Sequence, residues 1–304
     1  MPNFTRRACL AIGAAAALMP RAGFTAERLS LGDAELVTLS DGNLVLPSDF
    51  IFGPAPQEDL ARLVPEFGID LSQPLTPPCN VTLLRTGDRT ILFDCGAGPA
   101  FQDSAGRLLD ALGSEGLGPE DITDIVFTHA HPDHLWGVLD DFDEPLFLNA
   151  AHRIGRIERD YWMAPETVNT IGEARASFAA GAIRRLAVIE DILETFEDGD
   201  EVLPGVAAVL TPGHTPGHMA FEIASGGTSA MVIGDAVGND HVAMARPAWP
   251  TGADQDTETG VATRVRLLER LAAEGIAAVG FHMSGGGIGR VEAASEGYRF
   301  VTDI

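Results

Sequence analysis

Apolar and polar residues alternate along Leu29–Leu39 and again along Asn80–Arg85, the period-two pattern of half-buried strands. Between them runs a Pro-rich stretch, Leu44 to Pro78, with one short helical segment near Gln57–Leu63. Thr86-Gly87-Asp88 is a turn signal, and Arg89–Asp94 reads as the return strand. A three-residue turn centred on Gly87 would set Cys79 opposite Cys95. Ser104–Leu112 reads as a helix opened by Asp103 or Ser104 and closed near Gly113. Ile122–Thr128, Val206–Leu210, Ala230–Ile233 and Ile276–Phe281 read as short buried strands, with Ile276–Phe281 the last of them. Ala151–Ala182 reads as mostly helical. Thr257–Glu274 places Val261, Val265, Leu268 and Leu271 on one helical face and ends at Gly275. Strands dominate early and alternate with helices later, without a repeat of fixed period. That order predicts one α/β domain of layered sheets with outer helices.

Composition and charge narrow the class. The 304 residues, 45% hydrophobic and 21% charged, suffice for a large folded core. Asp and Glu total 44 against 20 basic residues, all Arg, for a net charge of −24. Such a surface repels phosphate backbones, which argues against nucleic acid as a partner. The start differs in kind. Arg6-Arg7 precedes the apolar run Ala8–Met19, then Pro20, Arg21 and Ala22, the shape of an export signal. The paired arginines resemble a twin-arginine signal, so residues 1–26 are expected to direct export to the periplasm. The mature domain, 27–304, would carry 17 basic and 44 acidic residues, net −27, and no membrane span.

The chemistry gathers at the ends of the expected strands. Thr128-His129-Ala130-His131-Pro132-Asp133-His134 packs three imidazoles and a carboxylate into six residues, in a chain with eight His. Imidazole and carboxylate are ligands of zinc-type metals. Thr211-Pro212-Gly213-His214-Thr215-Pro216-Gly217-His218 follows another strand, and its Gly and Pro aim an imidazole through a tight turn. Gly234-Asp235 and Phe281-His282 end two more. A lone strand-end Asp or His is more often structural than functional. Together these make seven candidate ligands, enough for two metals sharing one carboxylate.

That order of motifs, HxHxDH, then TPGHTPGH, then GD, then a late strand-end His, resembles the metallo-β-lactamase superfamily over residues 29–304. The resemblance implies an αββα sandwich with a dinuclear site at one edge. It assigns His129, His131 and His214 to the first metal. Asp133, His134 and His282 go to the second, with Asp235 between them. It implies two divalent ions, with zinc the expected metal, and a water acidified between them. Asp133 would orient that water or pass a proton to the leaving group. Asp160-Tyr161-Trp162, the glycine loop Gly285–Gly289 and the ending Gly297-Tyr298-Arg299-Phe300 are similar to the methyl parathion hydrolase and lactonase-like branch, whose members are often homodimers.

The departures bear on substrate. His134-Leu135-Trp136-Gly137 stands where relatives often carry Gly-Gly, so Trp136 is expected to narrow the site. Trp162 is the foremost candidate for a pocket wall, with Tyr161 and Phe50–Phe52 beside it. Lys is absent, so Arg246 or Arg290 would replace a carboxylate-binding lysine. His218 is expected as a turn partner behind the ligands, and His152 and His241 as surface or loop residues. Cys79 and Cys95 are expected as free buried thiols, cross-strand geometry being poor for a bond.

The leading expectation is an exported hydrolase of a neutral small molecule: lactone, ester or phosphotriester. A true β-lactamase is the next reading, weakened by the missing lysine, and a glyoxalase-type thioesterase follows. Acidity disfavours a nuclease, and His131 disfavours an oxygen-reducing diiron protein, which has Glu in this motif. A non-catalytic metal-binding module is the rival of another class, and such degenerate members usually lose ligands.

Overall fold

A computed structural model describes residues 26–304 of the chain. The expected export signal lies outside the described residues, apart from Ala26. Fourteen strands are described: β1 Glu27–Leu31, β2 Ala34–Asn43, β3 Pro78–Thr86, β4 Arg89–Phe93, β5 Asp124–Phe127, β6 Ala151–Gly155, β7 Leu193–Phe196, β8 Glu201–Leu203, β9 Val206–Leu210, β10 Met219–Ser225, β11 Thr228–Gly234, β12 Ala277–Gly280, β13 Ile288–Ala293 and β14 Tyr298–Val301. They form two seven-stranded sheets. One runs β1 to β7 in chain order, and the other runs β14 back to β8.

The layers follow from strand alternation. In β4 and β5, Ile91, Phe93 and Val126 point between the sheets, where they meet Phe221, Ile223, Val232 and Val279 of the second sheet. Phe93 and Phe221 pack with ring centres 5.2 Å apart. The residues between, Leu92, Ile125 and Phe127, point outward under a helical layer that includes Leu112, Leu186 and Ile189. On the far side the helix Thr257–Glu274 lays Leu267, Leu268 and Leu271 over Met231, Ile233 and Ala278. The result is the expected αββα sandwich. Neither sheet has an unburied face, so strands at its centre are apolar throughout.

Several expectations need correction. Leu29–Leu39 is a hairpin rather than one strand, because Gly32 adopts φ +54 between β1 and β2. The turn after β3 has two residues, with Thr86 opposite Arg89, so Cys79 and Cys95 are not paired across the hairpin. Both thiols are free and buried, as expected. The helix expected over Ser104–Leu112 starts at Leu108. Asp41 delays it by accepting the N–H groups of Ala97, Gly106 and Leu108, with Gly106 at φ +75. Ala151–Ala182 opens with β6 before turning helical at Arg156. β13 and β14 follow β12, so Ile276–Phe281 is not the last strand. The segments Gln57–Leu63 and Thr257–Glu274 have the expected bounds. Asp256 caps the latter by accepting from Thr259 N at 3.1 Å, and Gly275 ends it at φ +65.

Candidate metal centre

Four strand ends of the two sheets converge at one edge. After β5 the chain is extended through His131 (φ −66, ψ 161) and enters the short helix Pro132–Leu135, with proline at its first position. That strand-to-helix bend gathers His129, His131, Asp133 and His134, all buried. β9 hands over to the loop bearing His214. There Gly213 adopts φ +127, and a Cβ would fall 2.2 Å from Gly260 N, so only glycine fits. β11 ends at Gly234, which presents Asp235, and β12 ends at Gly280, just before His282.

The seven expected ligands come together. His131 Nδ1 lies 3.0 Å from His129 Nε2 and 2.8 Å from His214 Nε2. His282 Nε2 is 3.3 Å from both Asp133 Oδ2 and Asp235 Oδ2, and His134 Nε2 is 3.4 Å from Asp235 Oδ1. Asp235 Oδ2 also lies 3.3 Å from His214 Nε2, so this one carboxylate touches both clusters. The outward nitrogens are held elsewhere. His134 Nδ1 meets Asp94 Oδ2 at 2.7 Å, His282 Nδ1 meets the Pro78 carbonyl at 2.7 Å, and His129 Nδ1 meets Thr128 Oγ1 at 3.0 Å. An Nδ1–H donated outward leaves the Nε2 lone pair of His134 and His282 facing in.

The donor set fits divalent metal. Asp133 Oδ2, His134 Nε2 and Asp235 Oδ1 are buried without a hydrogen-bond partner among the described residues, which is costly unless a cation answers them. Burial drives His129, His131 and His214 well below the ordinary imidazole range, keeping them neutral donors. Burial alone would raise Asp235, but the imidazoles of His282, His134 and His214 hold it well below the usual carboxylate range. Against burial, Asp235, Asp133 and Asp94 lift His134 to about 10. The carboxylates thus call for positive charge at the centre, as protons or as metal. Cys79 Sγ also approaches Asp133 and His282, all three ligand atoms lying within 4.8 Å of one another.

Sequence reasoning missed the groups behind these ligands. Glu158 is fully buried and joins both ligand loops. Its Oε1 accepts from Ala130 N at 3.0 Å and Trp162 Nε1 at 2.6 Å; its Oε2 accepts from Thr215 Oγ1 at 2.7 Å and Gly217 N at 3.0 Å. Asp94 takes φ +67, rare for a non-glycine, and accepts from Thr128 N and Oγ1 while holding His134. His218 plays the expected supporting part, its Nε2 accepting the Asp235 N–H at 3.0 Å.

A cavity of about 510 Å³ opens over His131, Asp133, His214, Asp235 and His282. Its walls include Leu46, Phe50, Phe52, Leu75, Phe101 and Phe178, so the expectation for Phe50–Phe52 holds. Trp136 and Trp162 are not among the lining residues. Trp162 is fully buried, edge-on to His131 at 5.6 Å, with its N–H taken by Glu158. Trp136 stands behind Phe101 at 5.4 Å and packs over Gly181, where a Cβ would meet its ring at 2.2 Å. Tyr161 donates to Gln255 Oε1 at 2.7 Å and is likewise outside the lining. Arg246 bonds Glu296 and Arg290 is exposed; the arginine lining the cavity is Arg175. His152, expected at the surface, is buried in β6 against Phe127, because that segment is a strand. His241 is a half-buried loop residue in the cavity wall.

Comparison with known proteins agrees with this geometry. A sequence model described as the metallo-beta-lactamase superfamily matches residues 76–278. A probable metallo-hydrolase of Mycobacterium tuberculosis is 28% identical over 190 residues, 52% of this chain and 56% of that protein. An N-acyl homoserine lactonase of a Bacillus species is 30% identical over 118 residues, 38% of this chain and 39% of the relative. The chain thus spans about half the length, or less, of these curated relatives. Two solved structures are similar over nearly their whole length. AidC, a dizinc quorum-quenching lactonase, is 26% identical with a TM-score of 0.84, covering 92% of this chain and 97% of that one. The hydrolase AbOPH is 25% identical with a TM-score of 0.86, covering 93% and 99%. A family match over residues 76–278, together with seven converging candidate ligands, leads to one assignment: the chain belongs to the metallo-beta-lactamase superfamily.

Proposed function

We propose that the protein hydrolyses a neutral small substrate, a lactone, ester or phosphotriester, and that residues 1–26 send it to the periplasm by the twin-arginine route. The observation that carries the substrate reading is an apolar-walled cavity ending on five of the seven metal-type side chains, His131, Asp133, His214, Asp235 and His282. His129, His131 and His214 would hold one divalent ion; Asp133, His134 and His282 a second; Asp235 would touch both. Such ions, with zinc as the expected metal, supply Lewis acidity and an acidified water.

The chain's own residues do the rest. Asp133 lines the cavity with Oδ2 unpartnered, and the neighbouring imidazoles of His134 and His282 keep it ionised against burial. Its carboxylate would take the proton released by the attacking water and pass it to the leaving oxygen. Phe50, Phe178, Leu46 and Leu75 bind the apolar part of the substrate and exclude water. Asp70 and Asp240 also line the cavity, and the chain carries a net charge of −24, so anions approach against the field. The relatives named for lactone hydrolysis support the same class.

A panel of lactone, aryl ester, phosphotriester and β-lactam, run before and after chelation, tests the reading. Chelator-sensitive turnover of a neutral member is expected. A full metal complement with no turnover of any member would favour a non-catalytic metal-binding module, and preferential β-lactam turnover would favour a β-lactamase.

A further inference from the structure

Arg175 closes the turn Glu173–Arg175 ahead of the helix Ala176–Ile189 and lines the cavity with His131, Phe50 and Phe178. It is the one arginine among the lining residues, in a chain without lysine. Its guanidinium carbon sits 5.4 Å from the centre of the Phe50 ring. Its Nη2 donates to the Gly252 carbonyl at 2.5 Å and the Ala253 carbonyl at 3.1 Å. The group is therefore fixed from two sides before any ligand arrives.

Two features point to a ligand. Among the described residues no carboxylate lies within ion-pairing distance of Arg175, although the chain has 44 acidic residues. Asp254, whose charge reaches it, is itself bonded to Arg264 at 3.1 Å. Second, Nε and Nη1 have no acceptor among the described residues. Held in place at the cavity wall, these idle donors are free to bond a ligand there.

The chemistry of that acceptor follows from which donors are idle. Both two-nitrogen forks that a guanidinium offers to a carboxylate use Nη2, and Nη2 is committed to two carbonyls. Nε and Nη1 remain, each suited to a single oxygen. The acidic field disfavours an anion there. The Arg175 charge is felt at His131, which puts it on the His129–His131–His214 side of the cavity. We propose that Arg175 is a specificity-determining residue. It donates from Nε or Nη1 to a neutral carbonyl oxygen, of an amide or ester, that the substrate carries away from its scissile group. The inference rests on the hydrolase reading above.

The test uses the metal-loaded protein and two γ-lactones of equal length, one with an N-acylamino substituent and one with an alkyl substituent. Wild type should favour the acylamino lactone in kcat/KM by about 10-fold, the weight of one charge-assisted hydrogen bond. Arg175→Met keeps the contact with Phe50 and removes the donors. It should raise KM for the acylamino lactone about 10-fold, leave kcat within about 2-fold, and leave the alkyl lactone nearly unchanged; Arg175→Lys should fall between. Equal losses on both lactones would mean that Arg175 only braces the 252–253 loop, and would overturn the proposal. So would a wild type indifferent to the carbonyl, a result that stands even if the Met variant fails to fold. If neither lactone is turned over, the lactone reading of the substrate fails on its own. Calorimetry with the matching γ-lactams then reads the same discrimination without turnover, and equal affinity would overturn the Arg175 assignment.

Discussion

The floor of the cavity and its walls come from different parts of the chain. The floor is made by residues soon after strands β5, β9, β11 and β12, and four of the seven candidate ligands, His129, His134, Asp235 and His282, have a second bonding partner that fixes them. The walls come from loops and short helices: the Pro-rich stretch 44–78, the turn at Arg175, and the segment 238–253. Strand ends inherit their positions from two packed sheets, so seven candidate ligands spread over 154 positions meet within hydrogen-bond distances. The walls have no such frame and are positioned by aromatic packing and by bonds between loops, such as those of Arg175 to Gly252 and Ala253. One fold can thus keep its chemistry and vary its substrate.

The comparison predicts that damage to the floor costs metal and chemistry, whereas damage to the walls costs substrate affinity. Asp235→Asn should have the largest effect. It weakens the one carboxylate shared by both clusters, and turnover should fall roughly 10³-fold or more, with loss of bound metal measured by elemental analysis. A variant with full turnover would break the comparison at its strongest point. Glu158→Gln comes next. The amide cannot accept all four hydrogen bonds that Glu158 accepts, so both ligand loops loosen. Metal affinity should drop about 10–100-fold and stability by about 1–3 kcal/mol, read by competitive chelation and denaturant unfolding.

Phe178→Ala probes the walls. It should raise KM about 10-fold for an apolar substrate, with metal content and kcat nearly intact. Lost metal in this variant would show that wall and floor are not separable. The smallest effect concerns pH in the metal-free protein. Burial opposes the charge on His134, but Asp235, Asp133 and Asp94 lift it to about 10. A raised imidazole contributes stability that is fully present below its unfolded value of about 6.5 and is lost as pH rises toward 10. The metal-free melting temperature should therefore fall by a few degrees between pH 7 and 10, and the metal-loaded protein should not show this fall.

The sequence made the floor readable and the walls largely unreadable. His129, His131, Asp133, His134, His214, Asp235 and His282 fall in four short segments at the ends of apolar runs, and it is the combination of these segments that marks them. Glu158, Asp94 and Arg175 carry no such mark. In the two candidate-ligand loops Glu158 acts on residues 28 to 59 positions away, Asp94 acts on residues 34 and 40 away, and Arg175 on residues 77 and 78 away. Trp136 and Trp162 misled for a related reason. Trp136 is read from its place where relatives often carry Gly-Gly and Trp162 from a segment similar to theirs, but Gly181 leaves room for the first indole and Glu158 accepts from the second. The helix Thr257–Glu274 was legible because its apolar periodicity and its terminal glycine agree. Strand β6 was not, since Ala151–Gly155 carries His152 and Arg153 and runs straight into a helix.

The central claim is that the seven ligands hold the ions on which hydrolysis depends. The most direct test titrates a chelator into the purified protein, following bound divalent metal and turnover of a neutral lactone together, then adds metal back. The account predicts two ions per chain, activity falling in step with their removal, and recovery on re-addition. Full turnover by protein stripped of metal would contradict it.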